Sequence, residues 1–288
     1  MLLNSSKPPQ ETPEDKEGQG SVSTPRPTLK ARALRLPERP VHPTPMKRRI
    51  LFALGLPAWV FLGFMLAQAL IIGLMLGLQE LGVTFSEVNA SVFNASATTV
   101  VYTLAIILVI GVPWWIKRRA TTREELGIQR WPKWTDLLWT PVGMIVYLIL
   151  TLIISTTAVM LLPFVDAAEP QDVGFEVVSS QLEYIIAFLT LVVIAPIAEE
   201  VLFRGYLLGK LRKYTPLWGA ILITSLLFAV VHFQWNVGFD TFALSIVLCL
   251  LRVVTRGLWA PILLHMLKNG VAYYFLFINP SLLSTLGG

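Results

Sequence analysis

Residues 50–79 read ILFALGLPAWVFLGFMLAQALIIGLMLGLQ, a stretch that contains no Asp, Glu, Lys or Arg. A helix that rises about 1.5 Å per residue needs about 20 apolar residues to cross the roughly 30 Å hydrocarbon core of a bilayer. This stretch is long enough, and it has no charge that would oppose insertion. We therefore predict a membrane-spanning helix here.

Six more apolar runs follow along the chain. They lie at about 97–116, 137–164, 181–198, 217–235, 239–254 and 258–278. Hydrophobic residues make up 55% of the chain and charged residues only 14%, with a mean hydropathy of +0.65. Such a composition is far more apolar than that of a soluble domain. The expected fold is therefore all-α, a polytopic transmembrane helix bundle of about seven spans.

The segment 1–45 differs from the rest, because it is rich in Pro, Ser, Thr and charge and lacks apolar periodicity. We predict a disordered N-terminal tail, since the segment cannot bury enough surface to offset the entropy of folding. The net charge of +5 belongs to this end of the chain. A basic segment next to a membrane favours contact with anionic lipid, so we expect the lipid bilayer and no nucleic acid among the partners.

Lys and Arg are unevenly distributed over the predicted connections. They gather before the first span, at 117–133, at 210–213 and at 252–256. The alternate connections 80–96, 165–180 and 236–238 contain neither residue. Basic loops stay in the cytoplasm of membrane proteins. We therefore predict a multi-pass protein with its N-terminus in the cytoplasm and its C-terminus outside.

Three of the apolar runs contain short motifs with ionisable or amide side chains. The residues are Glu199, Glu200 and Arg204 around the end of the fourth run, Phe228 and His232 in the fifth, and His265 and Asn269 in the seventh. A charged side chain at the centre of a bilayer costs about 2.5–3.5 kcal/mol on insertion scales. Side chains of this kind indicate a functional site inside the membrane.

Helical spacing indicates how the two glutamates differ. Glu200 and Arg204 are four residues apart, in the order that favours an ion pair on one helix face. Glu199 projects about 100° away from Glu200 around the helix. We therefore expect different roles for the two carboxylates, with Glu200 paired to Arg204 and Glu199 left free. Any one of these residues alone is more typical of a structural contact, such as a tolerated ion pair or a hydrogen bond between helices.

The connection between the fourth and fifth runs predicts which residues share a depth in the membrane. The short polar turn 213–216 lies midway between Glu199 and His232 in the sequence. Residues equally far from the turn of an antiparallel helical hairpin lie at similar depth. We therefore expect Glu199 and His232 to face the same layer of the membrane, within reach of a direct hydrogen bond or of one water molecule.

The motifs Glu-Glu-x-x-x-Arg at 199–204, Phe-x-x-x-His at 228–232 and His-x-x-x-Asn at 265–269 resemble those of the CAAX protease and bacteriocin-processing (CPBP, or Abi) family. The resemblance covers about 180–275. It divides the chain into the tail 1–45, N-terminal transmembrane helices over 46–180 and a catalytic transmembrane domain over 181–280. It implies an intramembrane endopeptidase of a bacterial plasma membrane that cleaves a membrane-associated protein or peptide.

The resemblance also implies a role for each motif residue. Glu199 and His232 would activate the attacking water, and His265 and Asn269 would stabilise the oxyanion. The supporting residues Glu200, Arg204 and Phe228 would hold the site together. Two cofactor alternatives stay open at this point: a metal-free glutamate mechanism that needs no cofactor, or a divalent metal such as zinc bound by Glu199, His232 and His265.

Two functions of other classes compete with the protease hypothesis. One is a non-catalytic membrane scaffold or immunity protein that keeps the motifs without using them. The other is a proton-coupled transporter in which Glu199 and His232 form a proton relay. The sequence shows none of the internal repeats that are typical of transporters, and the complete set of motif residues favours the protease.

Overall fold

A computed structural model describes residues 45–84, 89–118, 121–163, 178 and 180–282. The predicted tail 1–45 lies outside the described residues except for Pro45, as does most of the predicted connection 165–180. Within the described ranges every regular element is a helix, which confirms the all-α fold class.

The described helices are α1 (Met46–Glu80), α2 (Ala90–Ile116), α3 (Arg123–Leu126), α4 (Trp134–Leu161), α5 (Gln181–Leu211), α6 (Leu217–Val230), α7 (Trp235–Thr255) and α8 (Trp259–Ile278). Among the described residues, six helices are long and apolar enough to cross a membrane: α1, α2, α4, α5, α7 and α8. The chain is therefore an integral membrane protein.

The predicted fifth span is shorter than expected. It corresponds to α6, which has 14 residues and a length of about 21 Å, less than the thickness of a hydrocarbon core. The helix stops at Val230 because the chain turns there, and Phe233 adopts a left-handed backbone conformation with φ 54°. The prediction of about seven spans becomes six long helices and one short one.

The fourth span is longer than predicted, so the boundary at 198 was wrong. Helix α5 continues to Leu211 and includes all of the motif at 199–204. Glu200 and Arg204 are both fully buried and pair with each other, so their charges do not end the helix. Two π-helical turns, Leu189–Ile194 and Val201–Leu207, flank the segment Ala195–Glu200. Such turns inside α-helices frequently mark functional sites.

Helix α5 lies at the centre of the bundle. Its buried face packs with α6 and with the inner faces of α1 and α2 in one apolar core. Helix α7 contacts α6, α4 and α8, and α8 also packs against α5. The outer faces of α1 and α4 expose many Leu and Ile side chains, as lipid-facing helices do. This arrangement encloses the polar motifs between α5, α6 and α8.

Candidate active site

A cavity of about 520 Å³ lies between α2, α5, the end of α6 and α8. All four side chains that the sequence predicted as catalytic line it: Glu199, His232, His265 and Asn269. The connection between α5 and α6 spans residues 212–216, as the predicted hairpin requires, but His232 lies in the turn beyond the end of α6 and not on the helix itself. Among the described side chains no direct hydrogen bond joins Glu199 to His232, and both face the same cavity.

Glu200 is the centre of a buried polar network behind the cavity. Its Oε1 accepts from Arg204 Nη1 at 2.8 Å and from His265 Nδ1 at 2.9 Å. The predicted ion pair between Glu200 and Arg204 is thus confirmed, and it has a third member that the spacing did not indicate. Glu200 and Arg204 are 0% exposed and His265 is 4% exposed. Helices α5 and α8 are therefore joined through one carboxylate.

Phe228 connects this network to both histidines. The Arg204 guanidinium lies 4.2 Å from the centroid of the Phe228 ring. The same ring contacts His232 and His265 edge to face, at centroid distances of 5.0 Å and 5.9 Å. Phe228 is fully buried, so it fixes the positions of its neighbours by packing.

Hydrogen bonds fix the tautomers of the two histidines. His265 Nδ1 contacts a Glu200 carboxylate oxygen, and His232 Nδ1 lies 2.7 Å from the backbone oxygen of Phe228. A carbonyl or carboxylate oxygen only accepts, so Nδ1 is the donor in both rings. The Nε2 atom of each neutral ring is then an acceptor. His265 Nε2 lies 3.7 Å from Glu199 Oε2.

Glu199 is held by a residue that the sequence did not single out. The hydroxyl of Tyr102, on α2, donates a hydrogen bond to Glu199 Oε1. Both side chains line the cavity. Tyr102 lies in an apolar run without a motif, and nothing in its sequence neighbourhood indicates which face of α2 it occupies. Helix α2, which carries none of the three motifs, therefore contributes to the cavity.

Asn269 and its neighbour Lys268 are anchored by different partners. Asn269 Nδ2 donates to the Leu191 carbonyl at 2.9 Å, within the first π-helical turn of α5. An amide has a second N–H, which this contact does not use. Lys268 also lines the cavity, and its Nζ lies 3.3 Å from Asp240 Oδ2 on α7.

Asp240 is in turn held by α4. Its Oδ1 accepts hydrogen bonds from Tyr147 at 2.6 Å and from Thr151 at 2.7 Å. Asp240 and its partners on α4 are far apart in the sequence, so no short spacing pattern predicts these contacts.

The candidate metal ligands do not meet the spacing that a metal requires. Among the described residues, no group of three His, Cys, Asp or Glu side chains could hold a metal ion. This includes the set Glu199, His232 and His265.

Comparisons with known proteins agree with the motifs. A family model described as Type II CAAX prenyl endopeptidase Rce1-like matches residues 181–271. The membrane-embedded CAAX protease MroQ of Staphylococcus aureus (strain USA300) is 25% identical over 174 residues, which is 58% of this chain and 69% of that protein. The putative membrane peptidase YdiL of Bacillus subtilis (strain 168) is 31% identical over 77 residues, 27% of this chain and 32% of that protein.

A third similar protein, the uncharacterized 24.3 kDa protein of Escherichia coli, is 37% identical over 89 residues, 29% of this chain and 41% of that protein. This chain therefore spans less than half of two of these three relatives. No solved structure matches it.

Residues 181–271 are therefore similar to a family of membrane-embedded proteases. The match to the Rce1-like family model confirms the resemblance to CAAX proteases over these residues.

Proposed function

We propose that this protein is an intramembrane endopeptidase that hydrolyses a peptide bond of a membrane-associated protein or peptide. The observation that supports the proposal most is the cavity in which the Glu199 carboxylate meets both histidines and Asn269. A carboxylate and an imidazole that face the same cavity are suited to general base catalysis.

The first step is the attack of water on the substrate carbonyl carbon. A water between the Glu199 carboxylate and the acceptor nitrogen of His232 is oriented by both groups. Glu199 takes one proton from the water as the water oxygen bonds to the carbonyl carbon. Tyr102 holds the other Glu199 oxygen in place, so the carboxylate does not have to reorganise during the transfer.

The tetrahedral intermediate that follows carries a negative oxygen. Asn269 faces the cavity and offers its second N–H to this oxygen. His265 has its Nδ1–H on Glu200, so it can donate from Nε2 only as the doubly protonated ring. Such a ring would lie between Glu200 and Glu199, whose carboxylates complement its charge. Donors aimed at developing charge typically lower the barrier by about 3–4 kcal/mol.

The last step breaks the bond between carbon and nitrogen. The proton held by Glu199 passes to the leaving amine, and the oxyanion re-forms a carbonyl in the new carboxyl group. Glu199 is then a carboxylate again, and the cycle closes without a covalent intermediate. In this scheme Glu200, Arg204 and Phe228 are positioning residues, because they hold His265 and His232 and do not touch the reacting atoms.

The test of this function is a cleavage assay with the purified full-length protein in detergent. A peptide library derived from membrane-associated proteins is incubated with wild-type protein and with Glu199→Gln, and products are detected by mass spectrometry. Peptides cleaved by the wild type and left intact by Glu199→Gln support the proposal. Equal cleavage by both proteins, or none by the wild type, contradicts it.

We also propose that the N-terminus is cytoplasmic in a bacterial plasma membrane. The support is the excess of Lys and Arg before α1, after α5 and after α7. Protease added to inside-out vesicles should remove an epitope placed at residue 1. Protection of that epitope, with digestion in right-side-out cells, would reverse the orientation.

A further inference from the structure

A second cavity, of about 710 Å³, opens at the end of the bundle where α1 begins. It is enclosed by the first turns of α1, the end of α2 and the end of α5. Apolar and aromatic side chains form most of its wall, among them Leu51, Phe52, Trp59, Val112, Ile116 and Tyr206. None of these residues belongs to the proposed active site.

The start of α1 is fastened to the turn that follows α5. Arg49 Nε donates to the Tyr214 carbonyl at 3.0 Å, and the rings of Phe52 and Tyr214 stack at 4.1 Å. The first turn of α1 and the last turn of α5 are therefore at the same end of the bundle. Arg48 from the first turn of α1 and Lys210 from the last turn of α5 both line the cavity at this end.

Three cations and one carboxylate line that end: Arg48, Lys210, Lys213 and Glu125. Lys210 Nζ lies 2.8 Å from Glu125 Oε2, and Lys213 pairs with the other oxygen. Burial alone would raise the pKa of Glu125, but hydrogen bonds and charge from both lysines outweigh it and lower the pKa to about 2. The carboxylate stays ionised at neutral pH, and the positive charge in the cavity still exceeds the negative.

The cavity has the length of an acyl chain in one leaflet. Arg48 and Trp59 are eleven residues apart on α1 and both line it, so it extends roughly 16 Å along the helix. Half of a hydrocarbon core is about 15 Å. Between them, a Cβ atom placed on Gly55 meets no atom within 4 Å, so the wall is open there.

We propose that this cavity binds an anionic phospholipid. The headgroup phosphate contacts Arg48 and the two lysines, and an acyl chain lies along α1 past Gly55 toward Trp59. A cationic end joined to an apolar channel complements a molecule with an anionic head and an apolar tail. Free phosphate would satisfy only the cations and leave the apolar wall of Trp59 and Ile116 uncovered.

Thermal unfolding of the purified full-length protein in detergent tests the proposal. Phosphatidylglycerol, phosphatidylcholine with the same acyl chains, and inorganic phosphate are added separately. A lipid that binds the folded state at saturating concentration is expected to raise the Tm by about 5 °C. We expect this rise with phosphatidylglycerol only. An equal rise with phosphatidylcholine or with inorganic phosphate overturns the assignment.

Two pairs of variants separate the head and chain contacts. Arg48→Gln removes a cavity cation, whereas Arg123→Gln removes an exposed charge from the neighbouring helix α3. Gly55→Leu fills the channel, whereas Gly77→Leu adds the same side chain to α1 at a position that is also open. The first member of each pair should lose most of the Tm rise and the second should keep it. If both members of a pair behave alike, the site is not this cavity.

Discussion

Replacement of Glu200 by Gln tests how the buried network supports the site. The change keeps the size of the side chain but leaves the Arg204 guanidinium, which is fully buried, without its ion-pair partner. Removal of one member of a buried ion pair typically costs about 3–5 kcal/mol. This range corresponds to a factor of roughly 10²–10⁴ in the folding equilibrium. We expect the loss in the free energy of unfolding to fall in this range, because both side chains are fully shielded from water.

The double variant separates charge from shape. With Arg204→Gln added, neither charge is left uncompensated, so part of the stability lost in Glu200→Gln should return. The free energy of unfolding is measured in detergent by chemical denaturation. Glu80→Gln, at the exposed end of α1, is the control for loss of a carboxylate and should unfold like the wild type.

A second measurement on Glu200→Gln concerns His265. The neutral amide is a weaker acceptor for His265 Nδ1–H, so kcat should fall as well. If Glu200→Gln is as stable as the wild type, or if Arg204→Gln adds its full cost on top, the network does not hold the bundle together as described.

Two further predictions concern residues outside the motifs. Tyr102→Phe removes the donor to Glu199, so kcat should fall about tenfold with little change in KM, as measured by steady-state kinetics; an unchanged kcat would show that Tyr102 does not position the base. The pKa of Glu125 is lower in the folded state than its usual 4.5, so the stability it adds is present above about pH 4.5 and is lost as the pH falls toward 2. Melting curves of wild type and Glu125→Gln should therefore differ by a constant amount between pH 5 and 8, and a difference that vanishes near pH 6 would contradict the lysine contacts.

The sequence predicted the parts of the site that have a local signature. Glu200 and Arg204 lie four residues apart on one helix, and the two are found paired. A short turn joins α5 to α6, and Glu199 on α5 and His232, two residues beyond the end of α6, both line one cavity. In each case the geometry depends only on helix periodicity and on the length of one connection. The catalytic roles of these residues remain predictions.

The remaining contacts depend on which faces of the helices meet. Helices α2 and α4 have no distinct polar and apolar faces, so their sequences do not indicate that Tyr102 and Tyr147 point inward. Their partners Glu199 and Asp240 are more than 90 residues away in the chain. The division into an N-terminal segment 46–180 and a catalytic domain 181–280 is also a prediction, and the contacts of Tyr102 and Tyr147 indicate that both segments build the site.

The extent of α5 could not be predicted for a related reason. Hydropathy alone ended the span at 198, because three charged residues follow within six positions. In the folded protein Arg204 and Glu200 neutralise each other, and Tyr102 and His265 surround Glu199. A charged motif inside a helix is compatible with a continuous span when its partners come from neighbouring helices.

The most direct measurement of the central claim compares kcat/KM of wild type, Glu199→Gln and Glu80→Gln on one peptide found in the library screen. Gln keeps the size and polarity of Glu199 but cannot accept the proton of water, so kcat/KM should fall by about 10²–10⁴-fold. The Tm of Glu199→Gln should stay at the wild-type value, and Glu80→Gln should cleave normally. Wild-type cleavage by Glu199→Gln would contradict the assignment of Glu199 as the general base.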